Sequence, residues 1–290
     1  MIAANCILAG IDLGPDTEKN LAYTAYFASR TGATIRLLYI IDYLLTPPAY
    51  LASYIEEEKK RGEEEMARLR VLLSGLELKT ESSVMLGRLH ESFMKSIQET
   101  SADLLVIGYK AHLLRPSSSE RLIRSLAMPM LVVRGERAEK ASPGTVTIRK
   151  ILCPVDFSEN SRKAISMAKA YAGLLSADLH IMHVVPSHVM KEKWEQWINP
   201  DKNDSQRFEE GLRSDAASKL SQLTKEFDIQ AEAEIVQGAT GQMVCAAAEE
   251  GAYDMIVMGA RGLSYLHGVL IGSTTESVLK SSPCPVLIVH

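Results

Sequence analysis

The residues that could do chemistry lie in one stretch: Gly259, Ala260, Arg261 and Gly262, then nine residues, then Gly272, Ser273, Thr274 and Thr275. The apolar run Met255–Met258 just before it reads as a short buried strand, and Ser273 to Lys280 just after it as a helix. A glycine-bearing loop between a strand and a helix suits a phosphate. Glycines let backbone N–H groups approach an anion, and the first turn of a helix offers unpaired N–H groups at its positive end. The hydroxyls of Ser273, Thr274 and Thr275 add donors. A plainer reading stays open, in which Gly259 ends a strand and Ser273 caps a helix. The spacing is not that of a Walker loop, since Gly268 and Gly272 are one residue too close and no Lys follows. Nor is it the dinucleotide fingerprint G-x-G-x-x-G.

The elements that must hold this loop occur twice along the chain. Ile7-Leu8-Ala9-Gly10-Ile11-Asp12 returns as Ile151-Leu152-Cys153-Pro154-Val155-Asp156, 144 positions later. Each run predicts a strand ending in an Asp. Thr17 and Ser158 then read as helix starters. Apolar residues three or four apart follow: Leu21, Ala22, Ala25 and Ala28, and later Ala164, Ile165, Ala168 and Ala172. Second strands are expected over 34–41 and 178–185, and third strands over 79–86 and 230–236. Fourth strands are expected over 104–108 and 255–259, and fifth strands over 130–133 and 286–289. Long polar helices are expected over 56–73, with Met66, Leu69, Leu72 and Leu73 apolar, and over 205–227, with Leu212, Ala216, Leu220 and Leu223 on one stripe. Strands that are apolar throughout and alternate with helices indicate a parallel sheet covered on both faces. Residues 135–144 read as a polar linker, giving domains over 1–140 and 145–290. His188, Trp194 and Trp197 lie in an extra segment of the second half, read as a surface excursion.

The length of 290 residues suits two domains, and the 46% apolar content is that of a globular chain. A net charge of −4 argues against a nucleic-acid partner. No apolar run is long enough to span a bilayer, and no leader-like segment opens the sequence, so a cytoplasmic location is expected. Cys6, Cys153, Cys245 and Cys284 are too scattered for a disulfide framework or zinc knuckle. His180 and His183 are three apart on a strand and face opposite ways, so no metal site is expected.

With the loop, the Asp after each first strand and the doubled order in hand, the chain resembles a tandem universal stress protein. The family's nucleotide signature is a glycine, two residues, a glycine, nine residues, a glycine, then Ser or Thr. Gly259, Gly262, Gly272 and Ser273 match each fixed position. The resemblance implies two doubly wound, Rossmann-like α/β domains, each a five-stranded parallel sheet in the order 3-2-1-4-5. It puts the ligand in the crevice where strand order reverses. It implies ATP or AMP, with or without Mg²⁺, in the second half. Pro154, Val155 and Asp156 would meet adenine and ribose. Val184 and Val185 would pack on the base, and Met258 on the nucleoside. Gly259, Arg261 and Gly262 would follow the ribose and α-phosphate. Gly272, Ser273, Thr274 and Thr275 would take the phosphates. Asp156 as a helix-capping residue and Arg261 as a solvated side chain remain alternatives.

The first half departs from that signature. Gly108 to Ser117 is nine steps, against fourteen from Gly259 to Ser273. Ala111 and Pro116 stand where Gly262 and Gly272 do, and Pro has no N–H to offer. The expectation is a first domain that keeps the fold and has lost the phosphate loop. No residues read as a reaction centre. Glu276 near the glycine loop leaves a slow Mg²⁺-dependent ATP hydrolase or phosphotransferase as the alternative to a regulatory binder. The family's single domains meet through their fifth strands. The resemblance therefore implies pairing of the two halves through 130–133 and 286–289, and a homodimer, with Trp194 and Trp197 as candidate contacts.

Overall fold

In the computed structural model, residues 4–42, 51–109, 117–186, 202–262 and 271–290 are described, with side chains from 210 onward in the segment that starts at 202. The excursion with His188, Trp194 and Trp197, and the positions Ala111 and Pro116, lie outside them. In chain order the elements are β1 (Cys6–Ile11), α1 (Thr17–Thr31), β2 (Thr34–Ile41), α2 (Leu51–Ser74), β3 (Thr80–Leu86), α3 (Leu89–Thr100), β4 (Leu104–Gly108), α4 (Ser118–Ile123), β5 (Met130–Val133) and α5 (Glu136–Glu139). The second series is β6 (Lys150–Val155), α6 (Glu159–Leu175), β7 (Asp178–Pro186), α7 (Lys202–Glu226), β8 (Glu232–Gly238), α8 (Thr240–Glu250), β9 (Met255–Gly259), α9 (Ser273–Ser281) and β10 (Val286–Val289).

The chain divides into two compact units. One holds Met1–Thr147 and Cys284–Ile288; the other holds Ile148–His267, Ile271–Pro283 and Val289–His290. In the first unit the strands run β3-β2-β1-β4-β5, all parallel, the expected order 3-2-1-4-5. In the second they run β8-β7-β6-β9, the same order through the fourth strand. Val286, Leu287 and Ile288 of the last strand, β10, group with the first unit. The strand lies antiparallel to β5, with Val286 opposite Val132, Leu287 opposite Leu131 and Ile288 opposite Met130. The two final strands thus meet, as expected for edges that are apolar and unsafe to expose.

The central strands are buried on both faces: every residue of β5 and β10 is buried, as are 104–107, 151–155 and 255–258. Burial of each large aliphatic side chain contributes about 1.5–3 kcal/mol, which makes this the core of the fold. The long helices bury narrower stripes. In α2 the buried residues are Gly62, Met66, Leu69 and Leu73, while Leu72, expected in the stripe, is 40% exposed. One residue is a 100° turn of the helix, so Leu72 cannot share a line with Leu73. In α7 Ala216, Leu220 and Leu223 are buried and Leu212 is half-buried. The linker is not wholly irregular: Glu136–Glu139 form one helical turn around the buried Ala138. All four cysteines are free thiols, three of them buried.

Candidate functional site

Strand order reverses at β6, which has β7 on one side and β9 on the other. β6 pairs with β7 as far as Val155, but with β9 only at Ile151 and Leu152. Past Leu152 the two strands no longer pair, and this is where the expected crevice falls. Pro154 lies in this stretch, where a residue without an N–H leaves no ladder bond to β9 unmade. Asp156 comes next. Its Oδ1 accepts a hydrogen bond from Ser158 N at 3.0 Å. That bond spans Phe157, which is held in the left-handed region at φ 66°. A bulky residue there is strained, and the Asp side chain supplies the compensating turn. Ser158, as expected, caps α6 by accepting from Ser161 N at 3.2 Å.

The glycines behind β9 differ in what demands them. At Gly259 a Cβ would fall 2.9 Å from the backbone of Asn160, so α6 sits too close for any side chain. At Gly262 a Cβ would run into Oδ2 of Asp156. Asp156 and Gly262, from opposite walls of the crevice, are therefore in direct apposition. Gly272 is different. Its backbone is ordinary extended chain (φ −81°, ψ 157°), and a Cβ would meet nothing nearer than 3.4 Å. Neither its conformation nor its packing against the described residues calls for glycine at 272.

Gly272 is the N-cap of α9 and has no side chain with which to cap it. Its N–H donates to Ala260 O at 2.8 Å, and Ala260 N donates to Val289 O at 2.7 Å, so the loop is pinned at both ends. Ser273 is exposed and Thr274 half-buried, both in the first turn. Thr275 is buried, and its hydroxyl donates to Gly259 O at 2.9 Å. It ties the helix to the strand end, which leaves Ser273 and Thr274 as the hydroxyls that face outward. Glu276 forms an ion pair with Lys280 at 2.8 Å, one turn further along the helix.

The residues expected against adenine and ribose are at the strand ends, but Val155, Val184, Val185 and Met258 are each under 10% exposed. Their side chains belong to the core, so their backbone edges are what a ligand could reach. One of these is already used, since Val155 O lies 2.7 Å from Nδ1 of His183. His183 also stacks at 4.4 Å on Phe157, and burial pulls its pKa down. It shares the crevice end of β7 with Val185, two residues on, a placement that strand alternation could have flagged. His180 faces the other way and pairs with Glu232 at 3.3 Å. The two imidazoles thus have separate partners.

His290 follows Val289 and so leaves β10 beside Ala260 and Arg261. Burial, then the charges of Arg261 and Lys163, push its pKa down to about 4. Its carbonyl accepts from Lys163 Nζ at 3.4 Å, while its Nε2 is buried and has no hydrogen-bond partner among the described residues.

In the first half the same place is filled. Tyr109 N donates to Val133 O, as Ala260 N does to Val289 O, so Tyr109 and Ala260 occupy equivalent positions. The Tyr109 hydroxyl donates to Oε1 of Glu120 at 3.1 Å, and the guanidinium of Arg134 lies 5.3 Å over the Tyr109 ring. Oε2 of Glu120 accepts from Ser117 N at 2.7 Å, and Ser117 Oγ accepts from Glu120 N at 3.1 Å. This capping box closes the N-terminus of α4 with the protein's own carboxylate. Asp12, the counterpart of Asp156, accepts from Gly14 N at 3.0 Å and from the Thr17 hydroxyl at 3.1 Å.

The sequence was compared with known proteins. The family model for the universal stress protein family matches residues 5–134 and again 147–290. A universal stress protein of Methanocaldococcus jannaschii, MJ0577, is 30% identical over half of this chain and 96% of its own length. One of Mycolicibacterium smegmatis is 24% identical over 98% of this chain and 96% of its own length. A crystal structure of a universal stress protein from Archaeoglobus fulgidus superposes over 99% of this chain and 96% of its own, with TM-score 0.71 and 22% identity. The chain belongs to the universal stress protein family and carries the family's domain twice.

Proposed function

We propose that the second half binds one adenine nucleotide, ATP or AMP, and that the chain acts as a nucleotide-responsive regulator in a stress response. The observation that carries this reading is Gly272. It stands at the N-cap of a nine-residue helix, where its backbone and the described residues around it set no structural need for glycine and it has no side chain to cap the first turn. A glycine kept free of packing there lets an anion approach the amide groups and the positive end of the helix dipole. Gly259 and Gly262 bring the loop down onto the crevice, and Asp156 stands opposite as the acceptor for a ribose hydroxyl. The exposed Ser273 and half-buried Thr274 supply further donors, and Mg²⁺ would enter with the triphosphate.

A binder fits better than a hydrolase, because Glu276, the carboxylate nearest the loop in sequence, is turned along its helix to Lys280. Two copies of the chain forming a dimer, and a cytoplasmic location, complete the proposal. The decisive variant is Gly272→Val. It should weaken ATP binding by at least about a hundredfold, roughly 2.7 kcal/mol, and leave unfolding of the ligand-free protein within about 1 kcal/mol of the parent. Undiminished ATP binding by this variant, measured by calorimetry, would overturn the reading.

A further inference from the structure

We propose that His290 is a phosphate ligand of the nucleotide in the second half, acting beside Arg261. The inference rests on the nucleotide reading above and adds to it a residue outside the glycine loop. Three observations point to it. The backbone bond from Ala260 N to Val289 O delivers residue 290 to the base of that loop. The imidazole Nε2 is buried and lacks a hydrogen-bond partner among the described residues, a state that costs free energy unless a ligand completes it. The charged groups acting on the ring are Arg261, from the loop after β9, and Lys163, from α6. Both are cations that disfavour protonation of the ring, and an anion beside it would offset them.

The first half shows what that position neighbours. Its equivalent residue, Arg134, covers Tyr109, whose hydroxyl holds the Glu120 carboxylate at the start of α4. Position 134 thus belongs to a chain of contacts that ends on an anion. In the second half Ala260 replaces the tyrosine, and the space its ring would fill beside residue 290 is not taken by that side chain.

Binding should therefore be linked to protons. The free imidazole, with its pKa near 4, is neutral at pH 7. An adjacent phosphate raises that value, so the complex takes up a proton at any pH between about 4 and the raised pKa. The sign follows: ATP affinity strengthens as pH falls through the raised value, and the gain is lost as pH rises through it.

The test is calorimetric titration of the full chain with ATP and with adenosine, at about pH 6 and about pH 8, in buffers of different ionisation enthalpy. His290→Gln and His290→Arg are run beside the parent. Expected for His290→Gln is about tenfold weaker ATP binding near pH 6, a smaller loss near pH 8, and less proton uptake than the parent. His290→Arg should restore affinity at both pH values without the proton uptake, and adenosine should bind all three alike. Parent-like ATP affinity and proton uptake in His290→Gln would overturn the assignment and leave the nucleotide site standing. Equal loss of ATP and adenosine in both variants would also overturn it, by making His290 part of the fold alone. A parent protein that binds no ATP would overturn the nucleotide reading and this inference together.

Discussion

Glu120 and Glu276 stand at the same place in the two halves, each three residues after a serine, and they do opposite things. Glu120 folds back to cap its own helix, whereas Glu276 reaches forward to Lys280. The cause is a shift of one residue in where the helix begins. The N-cap of α4 is Ser117, which makes Glu120 the third helical residue and closes a capping box. The N-cap of α9 is Gly272, one place earlier in the repeat, so Glu276 becomes the fourth helical residue and cannot reach back. The same contrast runs behind the helix, where the large Tyr109 of one half is replaced by the small Ala260 in the other. A single repeat thus gives one domain that answers its helix dipole with its own carboxylate, and one whose N-cap glycine has no side chain to do so.

The most damaging way to disturb the pair is at β10, which completes the sheet of the first unit. Leu287 and Ile288 point to opposite faces, and both are fully buried against their surroundings. Leu287→Asp and Ile288→Asp should each destabilise the chain by about 4 kcal/mol or more, because an unpaired charge enters the core. Urea unfolding, with proteolysis in the linker and light scattering, reads the effect. If either variant keeps parent stability, the pairing of β5 with β10 is not what closes the sheet.

The two aspartates sharpen the comparison at a smaller scale. Asp12→Ala and Asp156→Ala each remove a side-chain bond that supports a strained turn, and each should lower stability by about 1 kcal/mol. Only Asp156→Ala should also weaken ATP, by about tenfold, while inorganic phosphate binds as before. Equal loss of ATP in both variants would mean that Asp156 serves the turn and not the nucleoside.

The smallest effect is expected at Glu120. Glu120→Gln keeps much of the cap but removes the negative charge from the start of α4, and should reduce stability by about 0.5–1 kcal/mol. ATP binding in the second half should not change, which differential scanning calorimetry and titration together would establish. A change in ATP affinity would show that the two helix starts are coupled.

The fold was largely legible because its signals are strong and local. Strands such as Leu104–Ile107 and Met255–Met258 are apolar throughout, and only a doubly covered sheet buries such runs. The glycines were legible too, since their place between a strand and a helix start, together with the family resemblance, singled out 259, 262 and 272. What spacing could not assign was the role of each. Gly259 and Gly262 make room for Asn160 and Asp156, contacts between residues about a hundred positions apart. Thr275 looked like a phosphate donor, but its burial commits the hydroxyl to Gly259 O. The one-residue shift between Ser117 and Gly272 as caps was hidden because Ser273 is itself a good cap. His290 gave no local signal at all, since its surroundings come from α6 and the loop after β9, and the contact of His183 with the end of β6 was not in its local pattern.

The central claim is that the two halves differ in one capacity, and the stoichiometry of nucleotide binding tests it most directly. Native mass spectrometry of the full chain with ATP or AMP should show one nucleotide per chain, and none in Gly272→Val. Two nucleotides per chain, or one that survives Gly272→Val, would contradict the account.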